Sequence, residues 1–288
     1  FLNALLAIAD PGDEIILPLP YYFNQEMAVR MAGCLPVGAP TDADFQLDIS
    51  ALRAAITPRS RAIVTVSPNN PSGAVYPEAA LRAVNALCRE HGLYHITDEA
   101  YEYFTWQGAR HFSPASIAGA ESCTIALYSL SKAYGMASWR IGYLVIPAGL
   151  EEAVLKVQDT NLICAPRIAQ AAALGALNAG RAYCEGHQAA LAGVRESVLD
   201  ALQAVAPFCR ISSAEGAFYL LLKIATPLDS FSLAERLIRE HGVAVIPGNA
   251  FGLEDGCYLR VAYGALEPDT VRAGIQRLIE GLRVLAGA

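Results

Sequence analysis

The sequence predicts an α/β protein: a large domain on a mainly parallel sheet flanked by helices, followed by a smaller α+β C-terminal domain. Three observations predict it. Short aliphatic or β-branched runs alternate with helix-length segments as far as residue 146, the pattern of strands joined by crossover helices. Polar clusters at Asn69-Asn70, at Asp98-Glu99 and over residues 129–132 close three of those runs, and open α/β sheets collect ligands at the carboxyl ends of strands. From about residue 150 the texture changes to long alanine-rich helices and then to a second alternation. The boundary is drawn at 180/181, with a large domain over 1–180 and a small domain over 181–288.

The elements follow in order. Residues 1–9 read as an apolar helix stopped by Asp10-Pro-Gly-Asp, and 14–17 as a short buried strand. A Pro-rich loop through Tyr21-Tyr22 leads to a helix over 24–32 that ends at Gly33, then a weaker strand over 34–37. A helix over 49–56 precedes a β-branched strand over 62–66 and the loop Ser67-Pro-Asn-Asn-Pro-Ser-Gly73. A helix over 78–91 stops at Gly92; strands follow over 93–97, 123–129 and 142–146. Helices over 151–161, 167–178 and 182–205 come next. The remainder gives strands over 217–224, 243–246 and 258–262, and helices over 233–240 and 268–285.

Composition excludes several function classes. With 288 residues, 54% of them hydrophobic, the chain can bury a large core. A formal net charge of −7 and no basic run remove the electrostatic footprint of a nucleic-acid or membrane-surface protein. No apolar run is long enough to cross a bilayer. The seven cysteines form no C-x-x-C pair, so they read as reduced thiols of a cytoplasmic protein rather than a zinc site. The five histidines show no metal spacing. The chain opens on Phe1 inside an uncapped helix, and the expectation is that its natural beginning lies upstream.

Four clusters carry chemistry. Ser129-Leu-Ser131-Lys132-Ala-Tyr-Gly135, with Arg140 shortly after, follows one strand. Asp98-Glu-Ala-Tyr101 follows another, and Asn70-Pro-Ser-Gly73 a third. Tyr258-Leu-Arg260-Val-Ala-Tyr263 lies near the C-terminus. In this order they resemble the class I/II aminotransferases, the fold-type-I branch of pyridoxal-phosphate enzymes, over essentially the whole chain.

The resemblance implies a role for each. Lys132 is similar to the lysine that holds pyridoxal 5'-phosphate in Schiff-base linkage and then moves the substrate's α-proton, which requires an amine with a lowered pKa. Asp98 matches the aspartate that pairs with the pyridine nitrogen; Tyr101 and Asn70 match the partners of the ring's phenolic oxygen. Ser129, Ser131 and Arg140 resemble the phosphate anchors, since an arginine fork fits phosphate oxygens. Tyr22 takes the place of the aromatic residue that stacks on the ring, with Tyr21 as the alternative register. Arg260 resembles the arginine that grips the substrate carboxylate, where Asn70 also belongs.

The implied activity is ping-pong transfer of an amino group between an L-amino acid and a 2-oxo acid, in a homodimer. The family's glycine- and serine-rich phosphate turn has no counterpart in these residues, so weak cofactor binding by this chain is the expectation. A lyase on the same scaffold, such as a carbon–sulfur lyase, would present the same cofactor residues, and a non-catalytic relative is the other alternative. Glu99 reads as structural, Trp106 and Trp139 as core or interface aromatics, and Tyr22, Phe218 and Phe251 as room for an apolar side chain.

Overall fold

The computed structural model describes residues 1–212, 214–264 and 267–286. A six-stranded sheet runs in the order β2-β1-β3-β4-β5-β6. Its strands are β1 (Glu14–Pro18), β2 (Leu35–Ala39), β3 (Ser60–Val66), β4 (Tyr94–Asp98), β5 (Thr124–Ser129) and β6 (Gly142–Val145). Every pairing is parallel except β5 with β6, which is antiparallel.

Alternate residues of one strand serve opposite faces, because successive side chains in a strand point to opposite sides. Ile15 and Leu17 pack with Leu5 of α1 (Leu2–Ile8) and Val29 of α2 (Phe23–Met31). Ile16, between them, packs with Leu52 of α3 (Ile49–Ala54) and with Val84 and Leu87 of α4 (Glu78–His91). Both faces are therefore covered, and β1 is buried along its whole length. Truncating Leu17 to alanine would cost about 2–5 kcal/mol.

The helices begin and end where local chemistry dictates. Asp48 caps α3 by accepting from the backbone N–H groups of Ser50 and Ala51. In α4, Leu81, Val84, Leu87 and Cys88 repeat at helical spacing on the buried side, and Gly92 closes the helix at φ 67°.

Beyond α5 (Glu151–Asn161), the two helices expected over 167–178 and 182–205 follow one another as α6 (Arg167–Leu202), separated at Gly180, whose φ 69° and ψ −166° are not helical. A second sheet, antiparallel throughout, has the order β7-β8-β10-β9. It comprises β7 (Cys209–Ile211), β8 (Tyr219–Ile224), β9 (Ile246–Pro247) and β10 (Cys257–Ala262). β7 has no counterpart among the expected strands, and the strand expected over 243–246 is β9, shifted toward Pro247. With α6, α7 (Ser230–His241) and α8 (Pro268–Leu285), this sheet encloses a separate core that includes Leu202, Leu222, Leu237, Leu259 and Leu278.

Candidate active site

The carboxyl ends of the parallel strands gather the expected residues at one edge. The register sets Asp98 beside Val66 on β3 and Leu127 on β5, so the loops after these three strands open together. The antiparallel pairing of Ser129 with Gly142 brings Arg140 to the same edge. A Cβ on Gly142 would come within 2.4 Å of the Tyr128 carbonyl oxygen, so only glycine permits this approach.

Local turns aim the side chains. After β5, Leu130 is buried as an anchor, Ser129 Oγ accepts from the Ser131 backbone N–H at 3.2 Å, and the Gly135 N–H returns to the Lys132 carbonyl at 3.1 Å. Lys132 is thereby half-buried, its Nζ 5.8 Å from the centres of the Tyr101 and Phe218 rings. Burial, assisted by the Arg260 and Arg140 charges, lowers its pKa, while Asp98 opposes the shift. Arg140 is exposed, adopts φ 53°, and donates Nη1 to the Ala137 carbonyl at 2.8 Å.

Asp98 accepts from the Ala100 N–H at 3.2 Å and from Gln25 Nε2 at 2.9 Å. Burial pushes its carboxyl above the usual range, and these two bonds hold it back. Gln25 went unforeseen. It lies in the first turn of α2, its N–H bonded to the carbonyl of Tyr22, so one helix start positions both residues. The available signal was a polar residue on the buried side of a short helix, close behind an aromatic pair. Tyr22 caps that helix, and burial raises its pKa, with Tyr219, Arg260 and Asp98 as its charged or titratable neighbours. Tyr21, the alternative register, turns toward Gly252 instead, its N–H bonded to the Phe251 carbonyl.

The second sheet supplies Arg260 from the middle of β10. Its Nη1 donates to Asn70 Oδ1 at 2.8 Å, a bond that joins the two sheets. Its guanidinium carbon lies 4.4 Å from the Tyr219 ring centre and 5.2 Å from that of Phe251. Tyr101 is buried, and its hydroxyl meets that of Tyr219 at 2.9 Å. Tyr219 is the other residue the sequence left unnoticed, being read as one more apolar strand position. Glu99 is structural as expected, its carboxylate bonded to His111 and Ser113 at 2.8 Å each. Trp106 is core and Trp139 is exposed. Among the described residues no cluster of His, Cys, Asp and Glu could hold a metal ion.

The arrangement therefore offers an amine of lowered pKa, a partly desolvated carboxylate, and two arginines within one edge. Comparison with known proteins points the same way. The family description "Aminotransferase class I and II" matches residues 2–278. An aspartate/prephenate aminotransferase of Thermus thermophilus is 37% identical over 282 residues, covering 96% of this chain and 71% of the relative. The structure of Thermus thermophilus aspartate aminotransferase with maleate superposes with a TM-score of 0.89 at 36% identity, covering 98% of this chain and 73% of that one. An aromatic aminotransferase from Pyrococcus horikoshii superposes with a TM-score of 0.90 at 31% identity, covering 99% and 77%.

Proposed function

This chain belongs to the class I and II aminotransferases, and from that premise we propose that its active centre consists of Lys132, Asp98, Tyr101, Asn70, Tyr22, Ser129, Ser131, Arg140 and Arg260. The activity is transfer of an amino group between an amino acid and a 2-oxo acid. The observation that carries the assignment is the meeting of Lys132, Asp98 and Arg260 at one edge, although they come from three separate segments.

The residues fit pyridoxal 5'-phosphate. Arg260 Nε is buried without a hydrogen-bond partner among the described residues, an unsatisfied donor that a bound carboxylate would answer. Asp98 is a partly buried carboxylate matched to a protonated ring nitrogen, and Arg140 with Ser129 and Ser131 offers phosphate donors. When bound, the cofactor supplies a carbonyl carbon that combines with amines and a ring that takes up the electron pair left on the substrate's α-carbon.

The chain's own groups do the rest. Lys132 Nζ, its pKa lowered by burial and by two arginines, takes the proton from the substrate's α-carbon and returns it. Asp98 holds a proton at the ring nitrogen, with Gln25 fixing the carboxylate's orientation. Tyr101 and Asn70 would donate toward the phenolic oxygen, and Tyr22 would cover the ring face. Arg260 and Asn70 orient the substrate by its carboxylate, which is retained, as transamination requires.

For substrates, we assign amino acids with acidic or aromatic side chains and their oxo acids. The names of the similar proteins support this, as do the rings of Phe218 and Phe251 around Lys132 and Arg260. A homodimer belongs to the same proposal, supported by Leu162 and Ile163, exposed just after α5, and Ile168, exposed at the start of α6. So does a cytoplasmic setting, which suits seven free cysteines. No helix among the described residues is long and apolar enough to cross a membrane. The division at 180/181 is supported by the Gly180 kink and by the separate core around the second sheet.

The test is covalent capture. Borohydride reduction in the presence of pyridoxal phosphate fixes the cofactor to a Lys132 peptide in the parent and to nothing in Lys132→Ala. Transamination in the variant falls by about 10⁴-fold. Capture on another lysine would overturn the site assignment. Release of pyruvate and ammonia, with loss of a thiol from a cysteine-type amino acid and no added oxo acid, would favour the lyase reading.

A further inference from the structure

We infer that Tyr219 is a positioning residue that couples the two halves of the centre, directing the Tyr101 hydroxyl from one side of its ring system and bedding the Arg260 guanidinium on its face. The inference rests on the site assignment above and goes beyond it, since Tyr219 has no role there.

Register explains why one side chain reaches both. Arg260 on β10 stands opposite Leu221 on β8, and Tyr219 lies two residues from Leu221, hence on the same face and diagonal to Arg260. The guanidinium consequently lies 4.4 Å from the ring centre. At the other end of the ring, the two hydroxyl oxygens are 2.9 Å apart, and the Tyr101 and Tyr219 rings meet edge-on with centres 5.6 Å apart.

The turn before Tyr219 is held from several directions. Ala217 adopts φ 56°, a left-handed conformation that costs a non-glycine residue energy and persists only when its surroundings enforce it. Trp106 Nε1 donates to its carbonyl at 2.8 Å, and its N–H donates to the Phe104 carbonyl at 2.9 Å. Arg195, buried beside Trp106, donates from Nε and Nη2 to the Ala214 carbonyl at 3.2 and 2.8 Å.

Hydrogen counting sets the direction of the hydroxyl pair. Each phenol carries one hydrogen. If Tyr101 directs its own toward the cofactor's phenolic oxygen, its oxygen can meet Tyr219 only as acceptor, and Tyr219 becomes the donor. A donated hydrogen bond makes Tyr101 the stronger donor in turn. It would also fix Tyr101 in the rotamer that faces the ring.

Two variants of the cofactor-loaded protein separate the two contacts. Tyr219→Phe keeps the ring and removes the hydroxyl. It raises the pH midpoint of the bound cofactor's visible absorption by roughly half a unit, the scale of one neutral hydrogen bond, and leaves the affinity for succinate, an unreactive dicarboxylate, within about twofold. Tyr219→Leu removes the aromatic face as well and weakens succinate binding about tenfold, the scale of a desolvated cation–π contact. A Tyr219→Phe midpoint equal to the parent's, or a Tyr219→Leu variant that binds succinate as the parent does, would overturn the inference. A parent in which borohydride captures no Lys132 adduct would overturn the site assignment and this inference together.

Discussion

The two sheets contribute to the site in different ways. The parallel sheet presents its chemistry at strand ends, where Asn70, Asp98 and Ser129–Lys132 occupy the last residues of three neighbouring strands or the turns that follow them. The antiparallel sheet presents its chemistry in mid-strand, where Arg260 and Tyr219 are placed by pairing register rather than by a turn. A turn can be re-aimed by a local change, but a register slip of one residue would send Arg260 to the opposite face. The cofactor-side residues are therefore set by short-range chain geometry, and the substrate arginine by long-range pairing.

The largest expected effect tests whether that division is functional. Arg260→Lys keeps the charge but loses the planar fork, so KM for the amino acid should rise roughly 10²-fold with kcat changed far less. Titration of the cofactor should remain like the parent's. Matching losses in cofactor affinity would mean that the second sheet supports both halves of the site.

Acid should damage the two sheets unequally. His95 is fully buried under the parallel sheet, bonded to Thr65 at 2.9 Å, and burial lowers its pKa to about 3. In the unfolded chain it titrates near 6.5. Below that pH the unfolded state gains a proton that the folded state refuses, so stability is lost as pH falls from about 6.5 toward 3. The slope is about 1.4 kcal/mol per pH unit, roughly 3 kcal/mol by pH 4. Urea unfolding at pH 7, 6, 5 and 4 measures it, and His95→Phe should flatten this component. The core around the second sheet is formed by apolar side chains. If its tryptophan-free helices melted first in acid, as followed by hydrogen exchange, the contrast would fail.

Gly142→Ala should cost about 2 kcal/mol, because the new methyl meets the Tyr128 carbonyl oxygen and must part β5 from β6. Loss of phosphate affinity through Arg140 should accompany the fall in Tm. The smallest effect is expected at the start of α7, where Asp229 accepts from the Ser232 N–H at 2.9 Å. Asp229→Ala should lower Tm slightly, through the lost cap, without changing KM, since that helix end carries no residue of the site.

The same division governs how much of the molecule could be read in advance. Helices with a glycine stop and a periodic apolar side, such as Glu78–His91 closed by Gly92, emerged with their limits correct. The strand-end clusters were legible because chemistry and turn signals share a few consecutive residues. Cys209–Ile211 was not legible: three residues give no period, and the strand exists through its pairing with β8. Gln25 and Tyr219 escaped for a related reason. Each looks ordinary in its own helix or strand, and its meaning lies in a partner 73 or 118 positions away. The break at Gly180 was foreseen as a gap between two helices, because glycine interrupts the alanine-rich pattern there, and the backbone leaves helical geometry at that residue before the second helix begins.

The bond between Asn70 and Arg260 spans 190 positions of sequence and links the two sheets through a single amide. Its consequence is felt in mutational search. A replacement at either residue strands the other inside the protein, so an improving path through this pair needs two simultaneous changes in distant codons. Single-step evolution, natural or in the laboratory, is thereby channelled to Phe218 and Phe251, whose rings border the same centre without belonging to that link. Substrate preference can drift at those positions while the handling of the carboxylate stays frozen.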